Sequence, residues 1–122
     1  MKKILVIDDN EGILDVVSII LESEGYEVHQ LIEPNRVTQL PPADMPDLIL
    51  LDIWMSGADG RVICRQLKDQ PHTRHVPIVL MSANKDIAEI ADSAGADGYL
   101  AKPFEMDDLI MIVKRYLTKE AG

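Results

Sequence analysis

Three runs of four apolar residues, each followed by a polar one, decide most of what this chain can fold into. Residues 4–7 read ILVI, 48–51 read LILL and 78–81 read IVLM. A strand that is apolar at every position is buried on both faces, which happens chiefly in parallel sheets covered by helices on both sides. Two further runs of strand length lie at 28–32 and, more briefly, at 99–101.

Helical patterns fill the intervals. Residues 11–23 place Leu14, Val17, Ile20 and Leu21 on one face, with Ile13 and Val16 widening the stripe, and Gly25 ends the pattern. Val62, Ile63 and Leu67 indicate a second helix that stops before Pro71. Ile87, Ala88, Ile90, Ala91 and Ala94 mark another, closed by Gly95, and the last runs through Leu109, Ile110, Ile112, Val113, Tyr116 and Leu117. The segment 33–46 carries Pro34, Pro41, Pro42 and Pro46, so a helix there is short, around 35–40. Five strands alternating with five helices predict an α/β, flavodoxin-like doubly wound (βα)5 fold, its parallel sheet ordered 2-1-3-4-5 with helices on both faces. With 122 residues and no repeat or linker, the expectation is one domain over 1–122.

Composition removes several functions. The net charge of −9 argues against direct nucleic-acid binding, which depends on basic side chains neutralising phosphates. The apolar runs are far shorter than a membrane span, and no secretory signal opens the chain. Cys64 is the single cysteine, which suits a reducing cytoplasm.

In a doubly wound sheet, ligands bind beyond the carboxyl ends of the strands. Asp8 and Asp9 follow the first strand, Asp52 the third, Ser82 the fourth and Lys102 the fifth. All five are therefore predicted to meet at one rim. Two carboxylates about 5 Å apart repel by ~3 kcal/mol at an effective dielectric near 20, and three such pairs approach ~10 kcal/mol. Lys102 offsets one charge. A hard divalent cation with oxygen ligands offsets the rest, and Mg²⁺ suits a site with few protein ligands.

These residues carry a resemblance. The DD pair at 8–9, Asp52 after four apolar residues, Gly60 eight positions on, Ser82–Ala83, and Tyr99 three before Lys102–Pro103 together resemble the response-regulator receiver domain of the CheY-like superfamily, over the whole chain. The resemblance implies a phosphorylation-activated switch of a two-component or phosphorelay system. Asp52 would be the phosphoacceptor, taking phosphoryl from a phosphohistidine on a sensor histidine kinase or histidine phosphotransfer protein. Asp9, Asp52 and the backbone carbonyl of Trp54 would hold Mg²⁺ directly, with Asp8 assisting through water and Mn²⁺ able to substitute. Lys102 and Ser82 would bind phosphoryl oxygens. Ser82 and Tyr99 would pass the signal to the face made by the fourth helix, fifth strand and fifth helix. Lys102–Pro103 would be a cis peptide.

Two departures from the family pattern stand out. Ser56 replaces a common proline, which implies a looser loop. Trp54 is bulky and, with Asn84 opposite, would border the phosphoryl group and shield it from water.

Each residue alone has an ordinary reading: Asp9 or Ser82 as a helix cap, Tyr99 as a half-buried aromatic, Lys102 as a surface charge. His29, His72 and His75 lack a third ligand, Asp86, Glu89 and Asp92 read as a wet helix face, and Met106 and Met111 as packing. Three other functions compete. A flavodoxin-like cofactor carrier needs a receptive phosphate loop where this chain has acidic DDNEG. A phosphatase of the haloacid dehalogenase type needs DxDxT after the first strand, and would turn over repeatedly where a switch accepts one phosphate. A phosphorylation-independent interaction module would not need an intact acid set. The reading is a switch rather than an enzyme. Its output would be a downstream protein partner or a missing output domain, with no membrane role and the oligomeric state open.

Overall fold

The computed structural model describes residues 1–31, 33–55 and 57–117. Its elements run β1 (Lys3–Ile7), α1 (Glu11–Ser23), β2 (Glu27–Leu31), a 3₁₀ turn (Pro34–Gln39), a second (Pro42–Asp44), β3 (Leu48–Asp52), β4 (Trp54–Met55), β5 (Ala58–Asp59), α2 (Gly60–Asp69), β6 (Ile78–Ser82), α3 (Ile87–Ala94), β7 (Gly98–Ala101) and α4 (Met106–Leu117). The main sheet is ordered β2-β1-β3-β6-β7 with every pair parallel. With β6 and β7 as its fourth and fifth strands, this is the expected doubly wound order.

Side chains alternate across a strand, so each apolar run feeds two cores. Ile4, Val6, Leu48, Leu50, Val79 and Met81 face α1 and α4, meeting Leu14, Val17, Leu109 and Val113. Leu5, Ile7, Ile49, Leu51, Ile78 and Leu80 face the other way, onto Val37 and onto Ile63, Leu67, Ile87 and Ala91 of α2 and α3. Each fully buried Leu or Ile contributes about 1.5–3 kcal/mol. Cys64 lies in the second core, and burial pushes its thiol up to about 11, so it packs rather than reacts.

Several expectations are corrected. There are four α-helices among the described residues, not five, because the proline-bounded segment closes only as the 3₁₀ turn Pro34–Gln39. The cap of α1 is Asn10, whose side chain accepts the Ile13 N–H at 3.2 Å, so the alternative reading of Asp9 as that cap falls away. Val16 is 55% exposed and lines an apolar groove with Ile13 and Phe104 instead of joining the core. Met106 and Met111 are exposed and belong to neither core. His72, His75, Asp86, Glu89 and Asp92 are exposed, as expected, and so is His29, which pairs with Glu27 at 2.5 Å. Ser56, Ile32 and Lys119 lie outside the described residues. No helix among the described residues is long and apolar enough to cross a membrane.

The far end of the sheet is tied by Lys68. Its ammonium donates to the carbonyls of Arg74 (3.2 Å) and Val76 (2.9 Å) and to Asp97 Oδ2 (2.6 Å), which also accepts the Ile78 N–H. That anchor sets where β6 starts, and hence where its last residue, Ser82, arrives.

Candidate functional site

Parallel register brings the strand ends level. Ile7 pairs with Leu51, Asp52 with Met81, and Ser82 with Ala101. Asp8, Asp9, Asp52, Ser82 and Lys102 thus leave their strands at one edge. One carboxylate oxygen from each of Asp8, Asp9 and Asp52 lies within 4.8 Å of the others. Asp8 and Asp52 are buried and Asp9 is exposed.

The Lys102 ammonium bridges the two buried acids, at 2.9 Å from Asp8 Oδ2 and 3.1 Å from Asp52 Oδ1. The other Asp8 oxygen accepts the Asn10 N–H at 2.9 Å. Burial raises the Asp52 carboxyl above the usual range, and the Asp8 charge adds to the rise against the pull of Lys102. Lys102 is drawn down by burial, but its hydrogen bond to Asp8 and the charges of Asp52 and Asp8 leave it raised. One ammonium therefore does not satisfy the cluster. Three convergent carboxylates with one remaining too basic form a set of hard oxygen donors that could hold a metal ion.

The other expected residues take distinct places. Ser82 is buried, and its Oγ accepts the Asn84 N–H at 3.0 Å. Asn84 is exposed, and its Oδ1 accepts the Asp86 N–H. Ala83 and Pro103 border the apolar groove beside Lys102, and Lys102–Pro103 is cis. Tyr99 is 46% exposed on edge strand β7, in a cleft with Ala88 of α3 and Ile112 and Tyr116 of α4. Its ladder partner is Leu80, while that of Ser82 is Ala101.

The segment after Asp52 holds what the sequence reading missed. Trp54 and Met55 pair antiparallel with Asp59 and Ala58 around Gly57, whose φ of +74° makes the reversal. Gly60 N–H then returns to the Ile53 carbonyl at 2.8 Å. A Cβ on Gly60 would stand 2.3 Å from the Asp52 carbonyl oxygen and 2.9 Å from Ile53 Cα. Backbone cannot yield as a flexible side chain does. Gly60→Ala is therefore expected to cost about 2–3 kcal/mol, the upper range for overpacking, read as a lower urea midpoint at unchanged m-value.

Comparison with known proteins agrees with this geometry. The chain matches the response regulator receiver domain family over residues 4–114. It is 35% identical over 121 residues to the DNA-binding dual master transcriptional regulator RpaA of Synechocystis, covering 98% of this chain and 50% of RpaA. It is 38% identical over 120 residues to the response regulator PleD of Caulobacter vibrioides, covering 96% of this chain and 26% of PleD. The chain thus spans about half and about a quarter of those relatives. Among solved structures, the receiver domain of the sensor histidine kinase PA1611 from Pseudomonas aeruginosa superposes with a TM-score of 0.86 at 30% identity, over 97% of this chain and 98% of that one. That structure has a magnesium ion coordinated in its active-site cleft.

Proposed function

The chain belongs to the response regulator receiver domain family of two-component signalling, and on that premise we propose that Asp52 accepts a phosphoryl group from a phosphohistidine on a partner kinase or phosphotransfer protein. The observation that carries this reading is one ammonium bridging two buried carboxylates with a third acid alongside. An Asp52 oxygen attacks phosphorus, the new O–P bond forms, and the P–N bond to the imidazole breaks with its electron pair returning to the ring nitrogen. Charge in the transition state spreads over three phosphoryl oxygens. Lys102 donates to one of them. The Ser82 hydroxyl, already accepting from Asn84, turns its hydrogen to another. Lys102 is already held at the rim by Asp8 and Asp52, so little reorganisation of that donor opposes the reaction, whereas Ser82 moves.

Mg²⁺, or Mn²⁺ in its place, would be held by Asp9, Asp52 and the Trp54 carbonyl. Asp8 would act through water, because Asn10 and Lys102 already engage its two oxygens. When bound, the ion supplies positive charge to the phosphoryl oxygens. In this reading the partner approaches Asp52 from beside Lys102. The apolar groove of Ile13, Val16, Pro103 and Phe104 borders that lysine and offers a docking surface.

Phosphorylation adds charge at the rim and draws Ser82 toward it. The chain after β6 follows, and Tyr99 turns inward from its exposed position, changing the α3–β7–α4 face. The domain is a switch that takes one phosphate per chain, not a multiple-turnover enzyme. It acts in the cytoplasm, through a protein partner or an attached output domain, without itself gripping nucleic acid.

Intact-mass measurement after acetyl phosphate treatment is expected to show one labile phosphate with Mg²⁺ and none after chelation. Trp54, the single tryptophan, is expected to change emission on Mg²⁺ addition and again with acetyl phosphate or beryllofluoride. Repeated turnover of phosphate esters, or no label with metal present, overturns the reading.

A further inference from the structure

The hairpin after Asp52 ends in a chain of contacts that the phosphoacceptor chemistry does not require. Asp59 faces Trp54 in the β4–β5 ladder. Its carboxylate caps α2 by accepting the Arg61 N–H at 2.9 Å. The same carboxylate grips the Arg61 side chain twice over, with Nε at 3.0 Å from Oδ1 and Nη2 at 2.7 Å from Oδ2. So clamped, the guanidinium lies over the Trp54 ring, 4.7 Å from its centroid. A cap needs only the first of these bonds, and a solvated arginine needs none.

The stack is rigidly joined to the site. Trp54 is two residues beyond Asp52, and Gly60, between Asp59 and Arg61, lies against the Asp52 carbonyl so closely that no side chain fits. Trp54 is 55% exposed. A half-exposed indole on a two-residue strand has several rotamers open to it. A flat cation fixed by a fork of hydrogen bonds removes that freedom by covering one face of the ring.

We propose that Arg61, clamped by Asp59, is a positioning residue that holds the Trp54 indole in one orientation at the edge of the phosphoacceptor site, and so sets how readily water reaches phosphorylated Asp52. This rests on Asp52 being the acceptor. It goes further by assigning control of the phosphoryl lifetime to two residues outside the acid–lysine cluster. Arg61 acts only through the indole and touches no reacting atom.

The test compares wild type with Arg61→Met, Arg61→Lys and Asp59→Asn, which keeps the α2 cap while weakening the fork. Each is phosphorylated with acetyl phosphate and Mg²⁺, freed of donor, and followed by intact mass. Arg61→Met and Asp59→Asn are expected to shorten the phosphoryl half-life about two- to fivefold, the ratio set by an exposed cation–π contact. Acrylamide quenching of Trp54 should rise in parallel. Arg61→Lys should recover part of the lifetime, since charge returns without the planar fork. In a Trp54→Ala background, Arg61→Met should change nothing, because its means of action is gone. Equal half-lives in wild type and Arg61→Met overturn the inference while leaving the acceptor assignment intact, as does an Arg61→Met effect that persists without the indole. Failure of wild type to take up phosphate overturns both.

Discussion

Asp52→Asn is expected to abolish phosphate uptake from acetyl phosphate and, in the same protein, to raise thermal stability at neutral pH. The first effect follows from chemistry. An amide oxygen is no match for a carboxylate as a nucleophile, and losing an activated nucleophile costs at least about 10³-fold in rate. The second follows from the surroundings of Asp52. Burial and then the neighbouring Asp8 charge raise its carboxyl in the folded protein, more than Lys102 lowers it. A folded-state value above the unfolded one means the folded protein binds the proton more tightly. At pH above the unfolded-state value, that difference is a net cost to folding. The cost fades as pH falls through the raised folded value toward the ordinary aspartate range, where both states are protonated. The neutral amide avoids it. Circular-dichroism melts without metal should therefore give the variant a higher Tm than wild type at pH 7, with the gap closing near pH 4. Added Mg²⁺ should stabilise wild type more than the variant. A lower Tm at pH 7, or a phosphate still gained, would refute the argument.

The coupling of activity to instability explains which parts of this molecule could be read from the chain. The central strands were legible because β1, β3 and β6 are apolar at nearly every position, a pattern that few environments other than a covered parallel sheet allow. Once their order was in hand, the shared rim of Asp8, Asp52, Ser82 and Lys102 followed from strand ends alone. What was not legible depends on contacts without a period. Two-residue strands such as β4 and β5 are too short to alternate, and the Gly57 reversal inside them was the available signal. Arg61 lies in the first turn of α2, Asp59 closes β5 and Trp54 lies across the hairpin, so the three share no single helix or strand whose period could have linked them. The ordinary reading of Asp9 as the α1 cap failed by one position, since Asn10 takes that role. The short helix expected around 35–40 is the 3₁₀ turn Pro34–Gln39, since prolines bounding so short a segment leave no room for an α-helix to propagate. Val16 was misplaced for a different reason. Its position widens an apolar stripe, but among the described residues no element covers that edge of α1, and the stripe emerges as a groove wall beside Lys102.

Lys102→Met should produce two losses that respond oppositely to rescue. The lysine side chain is 17% exposed, and the Asp8 and Asp52 side chains that it joins are 1% and 9% exposed. Removing it leaves two buried carboxylates facing each other without their shared cation. Breaking a buried pair from one side costs about 3–5 kcal/mol, and a site at the open rim of a sheet belongs near ~3 kcal/mol. Urea melts at pH 7 without metal should show that loss. It should shrink as pH falls and Asp52 takes up its proton, and it should shrink again when Mg²⁺ provides positive charge to the same acids. Phosphate uptake should behave otherwise. Without the ammonium, one oxygen of the transferring group loses its fixed donor, a loss of about 10²–10³ in rate. If Lys102 donates to the phosphoryl group as proposed, saturating Mg²⁺ should leave transfer impaired. Stability restored by metal with transfer still impaired therefore identifies Lys102 as a ligand of the phosphoryl group. Uptake within about twofold of wild type under the same conditions would reduce the lysine to a counter-charge for Asp8 and Asp52, and the transition-state role assigned to it would have to be withdrawn.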